Sequence, residues 1–468
     1  MAAEDNAEDR LSLKQWAYII GTLLAVAVSV SVYDAWRGNI RNDNYSLRRL
    51  WQRLQSPTPG NVRNDFTNYS LAASRVTFAG GNPYSKQETS GRNYKYFPLN
   101  AALLGPLTLV PIPIAQGIWT AINVGLLLWC FRLHWAAAQP RRTPLWVWIV
   151  SLALAARFIS QNLKLGQWNT SVYCLTFAGL IIARKRPWTG ALALALAAAL
   201  KYMPAFFLLY FAAKRQWKAL LATTLALAFW VLVAPSLILG PSRHFELLQA
   251  FRAKAKDSYG NMTSERSVVG HSLRATIYAY LTPAVKSDDG KGSLINVLDL
   301  PPATASFLVQ GSMGALLAGV FALSVWRRAR RSGVPPDQWS RSGVPPDQWL
   351  RSGASTDQWL LEAGVWFLLL LMISPEVRTA HFITTFTPAF ALALTALHKA
   401  SCARTRRIAA WSLGLVAVCL LVCSRSTAGL SVSRTATLYG GYTLVSVILF
   451  AASVYVLVAD DAAPPPQD

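Results

Sequence analysis

Short polar clusters interrupt the long apolar blocks of this sequence, and they hold the side chains best able to do chemistry. The first cluster contains Asp65, which precedes a run with helical spacing between Ser70 and Phe78. This aspartate could have a functional role, or it could be the N-terminal cap of an amphipathic helix on the membrane surface. Polar side chains are costly to bury in hydrocarbon unless they are paired or hydrated, so these clusters hold the candidate functional residues.

Two further clusters place cations where an apolar pattern would not require them. Lys201, followed by Pro204, falls in the middle of an apolar block, and its ammonium is suited to binding a phosphate. Arg378 and His381 lie between two apolar blocks, where they could bind phosphate or handle a proton. The alternative for this pair is a snorkelling role at the start of a helix.

Aromatic and amide side chains occupy the remaining clusters. Asn82 and Tyr84 lie among glycine and proline, which is typical of a turn, although the tyrosine could stack on a sugar ring. Gln167 and Asn169 lie between two apolar blocks. Their amides could hydrogen-bond a polar substrate or could be ordinary loop polarity.

Motifs of soluble nucleotide enzymes and metalloenzymes are missing from the sequence. It contains no GxSxG, HExxH, Walker or GxGxxG motif in a fitting context. Its five cysteines form no CxxC pair, and all but Cys402 lie in apolar blocks. An enzyme of cytosolic nucleotides and an ATP-driven pump are therefore unsupported, and we expect no cofactor, metal or disulfide framework.

The elements that must position these residues are membrane-spanning helices. Of the 468 residues, 53% are hydrophobic and 14% charged, against about 25% charged in soluble chains. Apolar blocks recur at roughly the 20-residue length that crosses a bilayer. Because backbone polar groups in hydrocarbon must satisfy one another, we predict an all-α polytopic protein with about twelve spans. The predicted spans are 14–34, 98–113, 116–133, 144–160, 167–183, 188–213, 218–239, 303–326, 358–374, 380–397, 408–424 and 436–458.

The charge pattern orients these spans. The net charge is +23, and the basic residues lie between apolar blocks, which indicates cytoplasmic loops and anionic headgroups rather than nucleic acid. Basic clusters at 214–218, 327–331 and 399–407 are predicted to be cytoplasmic. The long polar loops 35–97 and 240–302 then face outward, as loops or small caps.

One basic cluster constrains the path of the chain. Placing 184–186 in the cytoplasm requires block 188–213 to consist of two half-helices hinged near Lys201 and Pro204, and an odd number of crossings between 98 and 133. The alternative is one continuous helix, which would put 184–186 outside. We favour the broken form because a lysine and a proline in mid-span need polar surroundings.

The sequence divides into a membrane module and shorter flanking segments. A tandem ten-residue unit is repeated three times over 331–360 and cannot bury a core, which predicts a linker. The segment from Trp16 to Val32 is predicted to be a retained span rather than a signal peptide. The predicted organisation is a cytoplasmic N-terminus (1–13), a membrane catalytic module (14–326), a cytoplasmic linker (327–357), C-terminal spans (358–458) and a polar tail (459–468).

In this order, the clusters resemble glycosyltransferase family 87, membrane enzymes of the GT-C fold whose best-known members are polyprenol-phosphate-mannose-dependent mannosyltransferases. The resemblance runs from about 60 to 395. Its elements are 65–69, 81–84, 96–99, 105–107, 166–169, 201–204, 270–274 and 374–375 with His381. Two departures are that Gly270 and His271 stand where the family usually has Asn-Gln, and that the Ser374-Pro375 element lacks its usual Trp.

The resemblance implies a multi-pass enzyme of the cell membrane with its active site on the extracytoplasmic face. It would transfer a hexose, mannose in the best-known members, from a polyprenyl-phosphate sugar to a glycan or glycolipid, with inversion. Asp65 would be the catalytic base, and Lys201, Arg378 and His381 would bind the donor phosphate. The implied sugar- or acceptor-binding residues are Tyr69, Asn82, Tyr84, Gln167 and Asn169.

Two other functions stay open at this point. A transporter or flippase of lipid-linked sugars would share the spans, the broken helix and the intramembrane lysine. It would also predict paired internal repeats, which the sequence does not show, and it would leave the long outer loops without a role. A structural subunit of an envelope-polysaccharide complex would not need Asp65, Lys201 and His381.

Overall fold

The computed structural model describes residues 65–85, 94–138, 143–261, 267–288, 291–332, 356–397 and 402–462. The predicted first span 14–34, the N-terminal segment, most of the tandem repeats and residues 463–468 of the polar tail lie outside these ranges. The helices are α1 (Asp65–Thr77), α2 (Pro98–Leu104), α3 (Ile112–Ala137), α4 (Leu145–Leu165), α5 (Asn169–Ala183), α6 (Pro187–Leu200), α7 (Phe207–Ala213), α8 (Trp217–Ala228), α9 (Ala234–Leu239), α10 (Pro241–Asn261), α11 (Leu273–Leu281), α12 (Pro302–Ser332), α13 (Thr356–Ile373), α14 (Phe386–Leu397), α15 (Ala403–Val422), α16 (Arg425–Leu438) and α17 (Gly441–Ala462). The strands are β1 (Ser267–Val269), β2 (Val285–Asp288) and β3 (Lys291–Ser293).

The described helices confirm a polytopic, membrane-embedded helical protein. Seven of them are long and apolar enough to cross a membrane by length and composition. Five shorter apolar helices of 10–17 residues accompany them, at Pro98–Leu109, Asn169–Ala183, Pro187–Leu200, Met203–Ala213 and Gln358–Ile373. The predicted count of about twelve spans is not confirmed.

Helices α5 and α6 form a tight antiparallel hairpin. At their contact, a Cβ on Gly190 would lie 2.3 Å from the backbone N of Ala183, and one on Gly179 would lie 2.7 Å from the N of Leu194. Such small residues let membrane helices approach backbone to backbone. Since a short turn joins two helices of 15 and 14 residues, the first residue of α5 and the last residue of α6 lie at the same end of the hairpin.

Block 188–213 is broken, as predicted. Helix α6 ends at Leu200, Lys201 has an extended backbone, and a 3₁₀ turn (Met203–Phe206) leads into α7. The guanidinium of Arg184 lies 5.0 Å from the centre of the Trp359 ring. One turn further along α13, Glu362 forms an ion pair with Lys214, with 2.5 Å between Lys214 Nζ and Glu362 Oε1. Both ends of the broken segment therefore lie at the same end of the bundle, which a continuous helix could not achieve.

The predicted span 98–113 is instead α2 followed by a 3₁₀ turn (Gly105–Leu109). Asn100 Nδ2 donates to the carbonyl of Leu200 at 3.2 Å, and Gly105 packs against the side chain of Thr77. Both parts of this segment thus contact the site end of the bundle. Between 98 and 137, α3 is the helix that is long and apolar enough to cross a membrane, and the odd number of crossings stays a prediction with which this agrees.

The loop 240–302 folds into a small cap, one of the two forms predicted for it. It contains α10, α11 and a three-stranded sheet, in which β1 pairs with β2 in parallel and β2 pairs with β3 antiparallel. This sheet departs from the all-α prediction. Arg243 on α10 donates to the carbonyls of Gly80 and Gly81, both at 2.6 Å. The two long polar loops therefore meet over one end of the bundle.

The main core lies between α3, α4, α5, α13, α14 and α17. Its members include Trp366, Phe386 and Phe390, all essentially buried. Within this core, His134 stacks on Phe177 with ring centres 3.6 Å apart and lies 3.1 Å from the hydroxyl of Thr387. This packing joins the last turn of α3, the middle of α5 and the first turn of α14.

Candidate functional site

A cavity of about 460 Å³ lies at the capped end of the bundle, opposite the basic turns at 184–186 and 214–216. Helix α1, the segment before α2, the end of α4, the break after α6, helix α10 and the segment after α13 contribute to its walls. The residues predicted from sequence that line it are Asp65, Tyr69, Gln167, Lys201, Arg378 and His381. These residues are separated by more than 300 positions in the chain, and the fold brings them to one cavity.

Four of the predicted side chains form a continuous hydrogen-bonded relay. The ammonium of Lys201 donates to Asn169 Oδ1, and Asn169 Nδ2 donates to Gln167 Oε1. Gln167 Nε2 in turn donates to Asp65 Oδ2. The relay therefore connects the cation at the α6 break to the carboxylate at the start of α1.

The chemistry of the two ends fixes the direction of this relay. An ammonium can only donate and an ionised carboxylate can only accept, so both amides must present their oxygen towards Lys201 and their NH₂ towards Asp65. Among the described residues, Asp65 Oδ1 has no hydrogen-bond partner. One carboxylate oxygen is thus held, and the other is available on the cavity wall.

His381 orients Lys201. Its Nε2 lies 2.7 Å from Lys201 Nζ, and its Nδ1 lies 3.0 Å from the backbone N of Arg378 and 3.2 Å from the carbonyl oxygen of the same residue. A charged ammonium has no lone pair, so Nε2 must accept from Lys201. The ring proton is then on Nδ1, which donates to the Arg378 carbonyl and cannot accept from the Arg378 N–H. In this arrangement the imidazole is neutral and holds the lysine, and a direct contact of His381 with phosphate stays a prediction.

A glycine brings the relay and α1 together. Gly166 ends α4 in the left-handed conformation (φ +65°), and a Cβ there would lie only 2.6 Å from the Cβ of Phe66. Trp119 Nε1 donates to the Gly166 carbonyl at 2.9 Å, which fixes the turn. Only glycine tolerates both this backbone and this contact. The turn therefore places Gln167 beside Asp65, the residue that precedes Phe66.

The predicted tyrosine and asparagine sites take different positions. Tyr69 lines the cavity, and its hydroxyl lies 2.9 Å from that of Tyr96. Burial, with smaller effects of Tyr96 and Asp65, raises the pKa of Tyr69, so this hydroxyl stays protonated. Tyr84 and Asn82 are not among the lining residues: Tyr84 OH donates to the Tyr96 carbonyl at 2.7 Å, and Asn82 Oδ1 accepts from the Tyr84 N–H at 2.9 Å. They support the wall from behind, and a direct contact with sugar stays a prediction.

Sequence reasoning did not single out Glu376 or Lys95, although both line the cavity. Glu376 Oε2 lies 3.2 Å from Lys95 Nζ, and Oε1 accepts from Arg378 Nε at 3.2 Å. Partial burial would raise the pKa of Glu376, but Lys95 and Arg378 outweigh burial and hold the pKa below its ordinary value. The sequence signal that could have identified Glu376 is its position: it lies two residues before Arg378, and its cluster contains no other acidic residue.

An apolar cleft of about 100 Å³ adjoins the polar cavity. Lys201, Tyr202, Glu376 and His381 line both spaces. The apolar lining comes from Val172, Tyr173, Met203, Pro204, Phe367, Leu370, Leu371, Val377 and Ile383. An amphipathic ligand could thus place its charged group where the two spaces meet and its apolar part in the cleft.

The cap also contacts the segment that carries Glu376. Gly270 has φ +111°, and a Cβ there would lie 2.8 Å from the Val377 carbonyl oxygen. The His271 N–H donates to the same oxygen at 2.7 Å. The two residues that depart from the usual Asn-Gln therefore pack against the backbone between Glu376 and Arg378.

Comparison with known proteins assigns the chain to a family. The family model of glycosyltransferase family 87 matches residues 94–342, which is more than half of the chain. The chain belongs to glycosyltransferase family 87. The family 87 match includes Gln167, Asn169 and Lys201, whereas Asp65 precedes it and His381 follows it, so the relay connects matched and unmatched parts.

Two curated relatives carry the same name, polyprenol-phosphate-mannose-dependent alpha-(1-2)-phosphatidylinositol mannoside mannosyltransferase. The Mycolicibacterium smegmatis protein is 29% identical over 151 residues, which cover 29% of this chain and 34% of that protein. The Mycobacterium tuberculosis protein is 30% identical over 214 residues, which cover 38% of this chain and 49% of that protein. The chain thus spans between a third and a half of the length of these relatives. No solved structure matches it significantly.

Proposed function

We propose that this family 87 protein is a membrane glycosyltransferase that moves a hexose, mannose as in its relatives' name, from a polyprenyl phosphate to a glycan or glycolipid. The observation that carries the proposal is one cavity with an available carboxylate oxygen on Asp65 and the ammonium of Lys201 at the other end of the same relay. A base and a cationic phosphate site in one cavity are what a direct displacement of a phosphate needs. The proposed site faces the outside of the cell membrane.

The charge of the cavity supports an anionic donor. Its lining includes Lys95, Lys201, Lys254 and Arg378 against two acids, Asp65 and Glu376. Lys201 uses two of its three N–H groups on Asn169 and His381, which leaves one for a phosphate oxygen. The adjoining apolar cleft suits the first part of a prenyl chain, whose remainder would lie in the bilayer.

The proposed reaction is a single displacement. Asp65 Oδ1 takes the proton of an acceptor hydroxyl while the acceptor oxygen forms a bond to the anomeric carbon. The bond from that carbon to the phosphate oxygen breaks on the opposite face, and its electron pair goes to the prenyl phosphate. Lys201 stabilises the charge that the phosphate gains, and the configuration at the anomeric carbon inverts.

The base assignment predicts the behaviour of an isosteric variant. Asp65→Asn should lower sugar transfer by about 10²–10⁴-fold, because an amide cannot accept the hydroxyl proton. The measurement is transfer from a polyprenyl-phosphate mannose in membranes that contain the full chain. Asp299→Asn is the matched control, since Asp299 is exposed in the cap and, among the described residues, accepts a hydrogen bond from its neighbour Asn296. Full activity in the Asp65 variant would refute the base assignment.

The stereochemical proposal has a separate test. Inversion requires the anomeric configuration of the product to be opposite to that of the donor, which nuclear magnetic resonance of the product resolves. A product that retains the donor configuration would exclude a single displacement with Asp65 as base. Wild-type protein that transfers no sugar from any polyprenyl phosphate would reject the proposed function as a whole.

A further inference from the structure

Glu376 is the carboxylate at the junction between the polar cavity and the apolar cleft. Each of its two oxygens faces a different cation: Oε2 faces Lys95 Nζ and Oε1 faces Arg378 Nε, both at 3.2 Å. Lys95 lies before α2 and Arg378 follows α13, so the acid joins segments that are 281 residues apart. The three side chains are between a quarter and a half exposed, so this ion-pair network can exchange partners.

The same position suits the phosphate of a lipid-linked donor. Glu376, Lys201 and His381 line both the cavity and the cleft, and a phosphate between sugar and prenyl chain must lie where these two spaces meet. A carboxylate and a phosphate use the same donors, namely ammonium and guanidinium N–H groups. Glu376 therefore holds cations that a bound phosphate would need.

We propose that Glu376 is a resident anion that competes with prenyl phosphates for Lys95 and Arg378, and so weakens binding of the product more than that of the donor. This inference rests on the proposed function. The donor phosphate is a diester with one negative charge, whereas the released prenyl phosphate is a monoester with a charge of about −1.5 to −2. A purely cationic site would hold the product more tightly than the donor. The competing carboxylate reduces this difference in affinity.

The test uses the full-length protein in detergent and farnesyl phosphate, a short prenyl monoester, at fixed ionic strength because salt screens these contacts. Isothermal titration should show about fivefold tighter binding to Glu376→Gln than to wild type, as expected when a competitor occupies most of the free site. Glu376→Asp, which keeps the charge, should bind close to wild type. Glu246→Gln is the matched control, since Glu246 is exposed, pairs with Arg243 on α10 and does not line the cavity.

A second variant keeps the proposal testable if Glu376→Gln does not fold. Lys95→Gln should weaken farnesyl phosphate binding several-fold, because it removes one of the contested cations. Binding equal to wild type in Lys95→Gln would overturn the proposal. Equal or weaker binding in a folded Glu376→Gln would also overturn it and would indicate a structural tie between the two segments.

Transfer assays separate this inference from the proposed function. In Glu376→Gln, added farnesyl phosphate should inhibit transfer about fivefold more strongly than in wild type, with a smaller change in the KM for donor. Wild type that transfers sugar while Glu376→Gln shows no tighter product inhibition defeats the inference alone. If Glu376→Gln binds farnesyl phosphate more tightly than wild type but wild type transfers no sugar, the proposed function is rejected and the competition by Glu376 still holds. Absence of farnesyl phosphate binding in wild type defeats both.

Discussion

At the residue scale, Gln167 decides which oxygen of Asp65 is held by a hydrogen bond and which is left for the proposed substrate. Its NH₂ group holds Oδ2, and its own oxygen is held by Asn169, which Lys201 holds in turn. Each amide has one donor side and one acceptor side, so the relay cannot reverse while Lys201 is charged and Asp65 ionised. The relay therefore orients the proposed base from a cation that also belongs to the phosphate site.

Gln167→Glu tests this orientation with a nearly isosteric change. A second carboxylate cannot donate to Asp65 and repels it, and loss of a hydrogen bond to a charged group costs about 1.5–3 kcal/mol. We expect transfer to fall by about 10–100-fold, with thermal unfolding close to wild type. Gln216→Glu, in the basic turn at the opposite end of the bundle, is the control and should transfer normally. Wild-type rates in Gln167→Glu would remove the relay from the mechanism.

The residue types predicted part of this site, and the remaining part became visible only from the contacts in the structure. Lys201 and His381 stand out in sequence because polar groups in apolar surroundings need a reason. Their mutual contact could not be foretold, since it joins positions 180 residues apart. Glu376 was overlooked because its main feature is an ion pair with Lys95. That lysine precedes it by 281 residues and looks like an ordinary loop lysine in the sequence.

At the element scale, the turn between α4 and α5 positions both amides of the relay. Gly166 gives this turn its left-handed backbone, and the missing Cβ lets α1 approach to contact distance. The polar sequence around Gln167 predicted an interruption between two apolar blocks. It could not show that α1 packs against that interruption, because the pattern of one helix does not name its neighbour.

Gly166→Ala is the corresponding test. The added methyl would meet Phe66 and the alanine would need a positive φ, so we expect a loss of about 1–3 kcal/mol in stability and a large loss of transfer. The measurement is the midpoint of thermal unfolding in detergent, together with sugar transfer. Gly125→Ala within α3 is the control, because no atom lies within 4 Å of its added Cβ. A Gly166→Ala variant as stable and as active as the Gly125→Ala control would show that neither the close approach nor the positive φ at position 166 is required.

At the scale of the whole molecule, the bundle has a capped end with the cavity and an opposite end with basic turns. Arg184 contacts Trp359, Lys214 contacts Glu362, and Arg327 reaches the same carboxylate at 3.4 Å. The charge pattern alone predicted that the basic turns at 184–186 and 214–216 lie at the same end of the bundle. The break at Lys201 allows the chain between them to return to that end. The broken form required an odd number of crossings between 98 and 133, but the sequence did not show that 98–113 holds only a short helix and a 3₁₀ turn, because apolar content does not distinguish a 12-residue segment at one end from a full span.

This two-ended arrangement predicts which positions react from each side of a sealed vesicle. Cysteines introduced at Lys185 and Lys218, both exposed, should react with an impermeant maleimide from one side, together with the exposed native Cys402. A cysteine at Glu246, next to the cavity on α10, should react only from the other side. A Cys402→Ser background separates the introduced cysteines from the native one, and vesicles of opposite orientation provide the control. Reaction of positions 185 and 218 from opposite sides would show that block 188–213 crosses the membrane as one span, and Lys201 could then no longer lie at the capped end. Reaction of both from the cytoplasmic side would place the cavity, and the proposed sugar transfer, on the outer face.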